Sequence, residues 1–244
     1  MLQFIMGLSY VVRGAGFINA QRSLLKYALT PLLINFVLYL AFGWMAIANF
    51  SSWLKRLLPA GQGYLWLIAY ILAMAVGCII LTLLIVYTFV LVGNIVASPF
   101  NDLLSEKAES LAAGQDVGAP VSLRAIGQAV FQELTKAAIF VVIMLALLVI
   151  NLVPVIGSVI YMLAGGLVTL FFISLQFFDY ALSRRGLRLS DKIRLVFDHY
   201  LVAAGFSLGV FLVLMIPFIG LVVIPVAVVG GTLLIRDLEA PIEE

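Results

Sequence analysis

Long apolar runs, cut by short polar ones, make up almost the whole chain. No charge falls between Tyr27 and Leu54, between Leu57 and Asn101, over 137–178, or over 200–235. Those runs hold 28, 45, 42 and 36 residues, against the about 20 that a helix needs to cross a bilayer. The first predicts a transmembrane helix over 27–50, with Pro31 tolerated in its first turn. In the second, Pro59, Gly61 and Gly63 mark a connection. The rest predicts one long helix over 64–98, with Gly77 and Gly93 as candidate kinks and an end at Ser98-Pro99.

The third and fourth runs carry the same interruption. Val153-Pro154-Val155-Ile156-Gly157 is followed, 63 positions later, by Ile216-Pro217-Phe218-Ile219-Gly220. A glycine pair follows each, Gly165-Gly166 and Gly230-Gly231. Proline removes a backbone donor and glycine relaxes the chain, so such a helix bends, breaks or reverses. Only 17 residues precede each tip (137–153 and 200–216), or about 25 Å of helix. Arms this short favour two hemi-penetrating helical hairpins, over 137–182 and 200–235. Paired interruptions of this kind also point to a transporter's substrate site.

The polar segments fill the gaps. Residues 1–26 mix Arg13, Arg22 and Lys26 with apolar positions, and Gly14 and Gly16 weaken a continuous helix. The expectation is an amphipathic segment lying on the membrane. Residues 99–136 read as cytoplasmic amphipathic helices. Leu103, Leu104 and Leu111 extend one to about Ala113, and Ser122 caps a second with Leu123, Ile126, Val130, Phe131 and Leu134 on one face. Residues 183–199 form a basic connector with Ser190 as its N-cap, and 236–244 a tail.

Composition turns this pattern into a fold class. Hydrophobic residues make up 64%, charged residues 11%, and the mean hydropathy is +1.20. Soluble domains carry roughly 45–50% and about 25%, so the solvent is lipid. The chain reads as a single all-α integral membrane domain over 1–244. A net charge of +2 suggests no nucleic-acid partner. The lone Cys78 reads as a small buried apolar residue, and Met1 to Val12 lacks the basic start of a cleaved signal peptide. With both termini cytoplasmic, 12 of the 14 lysines and arginines lie inside and only Lys55 and Arg56 outside, as the positive-inside rule asks.

Nothing in the sequence argues for an enzyme, a cofactor or a metal. The single His199 reads as interfacial, and Asp179 as an interfacial anchor in preference to a proton relay. Asn35, Asn94, Asn101 and Asn151 read as interhelical hydrogen-bond partners or as lining of a polar path. The basic connector reads as a topology determinant or an anion site. A dianion crossing a membrane needs oriented N–H donors and cations. A helix N-terminus supplies the first and Arg or Lys the second. Arg22-Ser23-Leu24-Leu25-Lys26, at the entry to the first transmembrane helix, has that character.

Several stretches resemble the CysZ-type sulfate permeases of bacteria. They are Ile95-Val-Ala-Ser-Pro-Phe-Asn-Asp-Leu-Leu-Ser-Glu106, Gln176-Phe-Phe-Asp-Tyr180, Pro154-Val-Ile-Gly157, and Ile216-Pro-Phe-Ile-Gly220 with Ile224-Pro-Val-Ala-Val228. They run in family order over nearly the whole chain. The resemblance implies two long transmembrane helices with two hemi-penetrating hairpins in the inner membrane. It also implies sulfate uptake feeding cysteine synthesis, without ATP hydrolysis. It makes Arg22, Ser23, Leu24 and Lys26 the expected substrate-binding residues. Asn101, Glu106, Pro154, Gly157, Pro217 and Gly220 become pathway or structural candidates. One departure stands out: the family's Gly-[Leu/Ile]-Arg-[Arg/Lys] falls on Ser23 to Lys26, so Leu25 stands where an arginine is expected. Three readings result: a permease for sulfate or a related oxyanion, a non-transporting membrane scaffold on the same fold, and a lipid handler. Hairpins that only dip leave an incomplete pore, so a homo-oligomer in a lipid bilayer is expected.

Overall fold

A computed structural model describes residues 1–57, 61–115, 123–216 and 219–239. Among them the chain forms eight α-helices and no strand. These are α1 (Leu2–Ala20), α2 (Leu25–Leu57), α3 (Tyr64–Ala113), α4 (Leu123–Ile150), α5 (Ile156–Arg184), α6 (Leu189–Asp198), α7 (Tyr200–Leu214) and α8 (Gly220–Glu239). A short 3-10 turn, Arg22–Leu24, joins α1 to α2. The chain divides into two compact units, 27–100 and 1–26 with 101–244.

The unit 27–100 holds most of α2 and the first part of α3. Phe36, Leu40 and Trp44 on α2, and Ile79 and Leu83 on α3, are exposed, which suits helices solvated by lipid. Among the described residues a polar contact crosses between them: the Asn35 side-chain amide donates to the Gly93 carbonyl at 3.2 Å. Three expectations are corrected here. Pro31 lies beyond the first turn of α2, which begins at Leu25. The second long helix does not end at Ser98-Pro99 but continues through Pro99 to Ala113. A proline deletes one backbone hydrogen bond, and burial of Leu104 and Ala108 beyond it holds the helix in register. Cys78 is exposed, not buried.

The other unit is built on α1. Its buried face, Gly7, Tyr10, Val11, Gly14 and Ile18, packs against α7 and α8. The helices meet backbone to backbone. A Cβ on Gly7 would fall 2.0 Å from the Val202 carbonyl oxygen, and one on Gly205 2.0 Å from that of Phe4. At Gly14 and Gly230 the corresponding distances are 2.4 Å to the Val226 oxygen and 2.5 Å to the Tyr10 oxygen. Small residues at the crossing are how helices associate where lipid offers no hydrophobic driving force between them. So α1 is a continuous helix with one face packed against α7 and α8, and Gly14 is a contact point, not a weak one. Tyr10, 1% exposed, donates its hydroxyl to Asp237 at 2.6 Å. Burial and that carboxylate push its pKa up to about 12.

The two interrupted runs become helix pairs. Between α4 and α5 the chain turns at 151–155, with Val155 at φ 66°. A Cβ on Gly157 would fall 2.1 Å from the Ile150 carbonyl oxygen, so the turn closes only over a glycine. The arms are longer than the charge pattern suggests. Helix α4 has 28 residues and α5 has 29, each about 42 Å, because α4 runs unbroken through Lys136. In the second pair α7 has 15 residues and α8 has 20, with Pro225 inside α8. Pro217 lies outside the described residues. The glycine pairs break neither helix; Gly230 and Gly231 pack against the backbones of Tyr10 and Phe177. The basic connector folds as α6, which begins after Arg188, so Ser190 is inside the helix and is not its N-cap. His199 sits at a 95° bend between α6 and α7. The C-terminal segment stays helical to Glu239.

By length and hydropathy four segments suit a membrane span: Arg22–Phe50, Tyr64–Ile85, Phe131–Ile150 and Ile156–Arg184. The bent pair α6–α7 would make a fifth.

Replacing Gly205 with valine should separate α1 from α7 and cost about 3 kcal/mol or more, the upper range for overpacking. The same change at Gly16, whose Cβ would meet nothing within 4 Å, should stay within about 0.5 kcal/mol of the parent. Thermal unfolding of both variants in detergent checks the contrast.

Candidate functional site

The expected binding loop is a turn pinned at its centre. The Gln21 N–H closes α1 on the Phe17 carbonyl, and the Leu24 N–H donates to the Gln21 carbonyl, both at 2.9 Å. Leu24 is fully buried. Its side chain and N–H are therefore committed to the fold. Arg22, Ser23, Leu25 and Lys26 are exposed around it. The turn opens directly into α2, so two cations flank a helix N-terminus, the arrangement that favours anions.

The polar candidates further on separate. Asn101 is buried and donates to the Tyr180 hydroxyl at 3.4 Å. The carboxylate engaged by cations lies one turn past Glu106, at Glu109. Pro154 and Gly157 form the first hairpin turn, and Gly220 opens α8, where a Cβ would lie 3.6 Å from the Leu214 side chain. Asn151 sits in the first turn, and the Asn94 side chain lies outside the described residues.

Two buried charge clusters are centred on α5. In the first, the Asp179 carboxylate sits between two ammonium groups. Lys192 reaches Oδ1 at 2.5 Å and Lys136 reaches Oδ2 at 2.6 Å. Lys192, fully buried, also donates to Gln132 at 2.6 Å and Ser183 at 2.8 Å. Lys136 has a second partner in Glu133 at 2.6 Å. One carboxylate thus ties α4, α5 and α6 together. In the second cluster Glu109, near the end of α3, bridges neighbouring guanidinium groups. Arg184 Nη2 meets Oε2 at 2.5 Å and Arg185 Nη2 meets Oε1 at 3.0 Å. Arg184 also donates to the Tyr180 carbonyl at 2.7 Å and to Ser105 at 2.9 Å. Ser105 and Thr232 share a buried hydrogen bond of 2.7 Å. Arg185 Nη1 lies 2.6 Å from Glu239 Oε2. Burial lifts the Glu239 carboxyl above its ordinary pKa, with Arg185 opposing the shift.

Three of the connector's cations are therefore not open to solvent: Arg184, Arg185 and Lys192 are spent on carboxylates from other helices, while Arg188 and Arg194 are exposed. The sequence carries a faint signal of this. Asp179 is the only charge between Lys136 and Arg184, and an acid in such a run must find a cation. Which of the lysines meets it is decided by tertiary packing alone.

A helical, multi-pass membrane protein with internally neutralised charges is what this fold defines. The profile of the family described as "Sulfate transporter CysZ/Etoposide-induced protein 2.4" matches residues 10–225, and the chain belongs to that family. Among its curated relatives are "Sulfate transporter CysZ" proteins of Pseudomonas paraeruginosa, Pectobacterium atrosepticum and Vibrio cholerae. The first is 29% identical, with 85% of each chain covered. The second is 28% identical over 87% of this chain and 78% of the relative, and the third 25% over 85% and 84%.

Removing only the central acid should be worse than removing the whole triad. Asp179→Leu leaves two buried ammonium groups facing each other and should cost about 3–5 kcal/mol. The triple variant Lys136→Met, Asp179→Leu, Lys192→Met should recover most of that loss. Denaturation of the three proteins in the same detergent measures the difference.

Proposed function

We propose that the protein is a permease for sulfate or a related oxyanion in the bacterial inner membrane, feeding sulfur assimilation and cysteine biosynthesis. The observation that carries this reading is the turn at 22–26. It presents Arg22 and Lys26 outward at the start of a long apolar helix, on a chain whose named relatives are sulfate transporters. Arg22, Ser23 and Lys26 meet the anion, Leu24 holds the turn in place, and oxyanions arrive at donors already oriented by the fold. Both termini are cytoplasmic, the side that gathers most of the lysines and arginines.

The second hairpin supports a hemi-penetrating reading best. Helix α7, at 15 residues, spans about 22 Å against a hydrocarbon core of about 30 Å. The first hairpin, with its longer arms, crosses or dips according to how much of α4 lies in the headgroups. A shallow second hairpin leaves the path incomplete within one copy, which supports a homo-oligomer.

A non-transporting scaffold or lipid-interacting protein on the same fold is the second reading. Leu25 favours it, standing 38% exposed where the resemblance expects an arginine. One charge-assisted contact is worth about 1.5–3 kcal/mol, so its absence weakens an anion site substantially.

Sulfate binding by the detergent-purified protein, with chloride, phosphate and molybdate as controls, separates the two. The permease reading expects selective sulfate binding that weakens about tenfold or more in Lys26→Ala and strengthens by a similar factor in Leu25→Arg. It also expects influx of labelled sulfate into proteoliposomes above that of empty vesicles. No oxyanion binding and no influx would leave the scaffold reading.

A further inference from the structure

The arginine pair that ends α5 has the form of an anion seat already filled from within. Two guanidinium groups converge on the two oxygens of one carboxylate, Arg184 on Oε2 and Arg185 on Oε1 of Glu109. A tetrahedral oxyanion offers the same feature along any edge: two oxygens, at nearly the spacing of a carboxylate's, for arginine forks to bridge. The seat is enclosed but not sealed; the side chains of Arg184, Arg185 and Glu109 are 14%, 26% and 11% exposed. Arg185 also holds a second carboxylate, its Nη1 lying 2.6 Å from Glu239 Oε2. Two arginines against Glu109 and Glu239 sum to zero charge, so an incoming dianion must displace a carboxylate. Glu109 is the one that bridges both guanidinium groups.

We propose that Arg184 and Arg185 form a second oxyanion site, for which the Glu109 carboxylate is a tethered competitor. A small free oxyanion such as sulfate exchanges with Glu109, taking its two guanidinium contacts. The last turns of α3 are released as it does so. The seat shares no side chain with the turn at 22–26, so it stands or falls independently of binding there.

The test removes the competitor while the loop is silenced. In an Arg22→Ala, Lys26→Ala background, sulfate binding is titrated by calorimetry against sodium chloride at matched ionic strength. Adding Glu109→Gln should tighten sulfate binding about tenfold, the effect of about one charge-assisted contact. Adding Arg185→Met should then abolish it. Glu109→Asp, which keeps a carboxylate but is one methylene shorter, should fall between the parent and Glu109→Gln; it serves if the glutamine variant does not fold. In the wild type, saturating sulfate should speed amide hydrogen exchange over 105–113 as Glu109 is released. Sulfate affinity unchanged by either Glu109 substitution in folded protein would overturn the proposal. So would a response to anionic lipid in nanodiscs with none to free sulfate, because the seat would then serve a headgroup.

Discussion

Backbone contact between α1 and the α7–α8 pair is the constraint that the rest of the unit 1–26 with 101–244 depends on. Carbonyl oxygens of Phe4, Tyr10, Val202 and Val226 stand where the side chains of four glycines would begin. Lipid tails are as apolar as leucine, so association must come from close packing and polar contacts. Closeness on this scale admits no side chain. It also fixes the next stretch of chain: with α1 seated, Gln21 and Leu24 close the turn. Tyr10 and Asp237 add a hydrogen bond at the same interface.

Burying charge is the second constraint, and α5 meets it for several other elements. Asp179, Arg184 and Arg185 lie within two turns of one another and take partners from α4, α6, the end of α3 and the end of α8. Isolated, any of these charges would be prohibitive in so apolar a setting. Paired, each pins one helix to another in a fixed register. Whether such pairs add net stability is a separate matter, since apolar replacements of a whole cluster are often no worse. What they supply here is a reason for α6 to lie against α4 and α5, because the fully buried Lys192 has its carboxylate there.

The helical class, the apolar runs and the first turn are legible in the sequence, because they depend on local composition. Val153 to Gly157 reverses the chain as proline and glycine require, and the end of α3 at Ala113 falls where Leu103, Leu104 and Leu111 run out. Charge is a poorer guide to where a helix ends. Lys136 reads as the edge of a run, yet it sits inside α4, neutralised by Asp179 and Glu133. Gly14 reads as a weak point, yet it is a contact that only the partner helix explains. Pro99 reads as a stop, yet tertiary burial beyond it carries the helix on. In each case a partner far away in sequence takes part, Asp179 for Lys136, and periodicity within one segment carries no trace of it.

The same distinction sorts the cations by what an anion would meet. At the turn, Arg22 and Lys26 are exposed beside a helix start, where the proposed loop would meet an arriving oxyanion. At the end of α5, Arg184 and Arg185 already hold Glu109, and an arriving anion gains only the difference between itself and that carboxylate. A tethered carboxylate is present at high effective concentration, which lowers apparent affinity without altering the arginines. On the proposed reading the exposed turn would suit capture at low concentration and the arginine pair occupation at high concentration. Two sites of like chemistry would then respond to different ranges of the same ion, a property set by one glutamate and not by the number of cations.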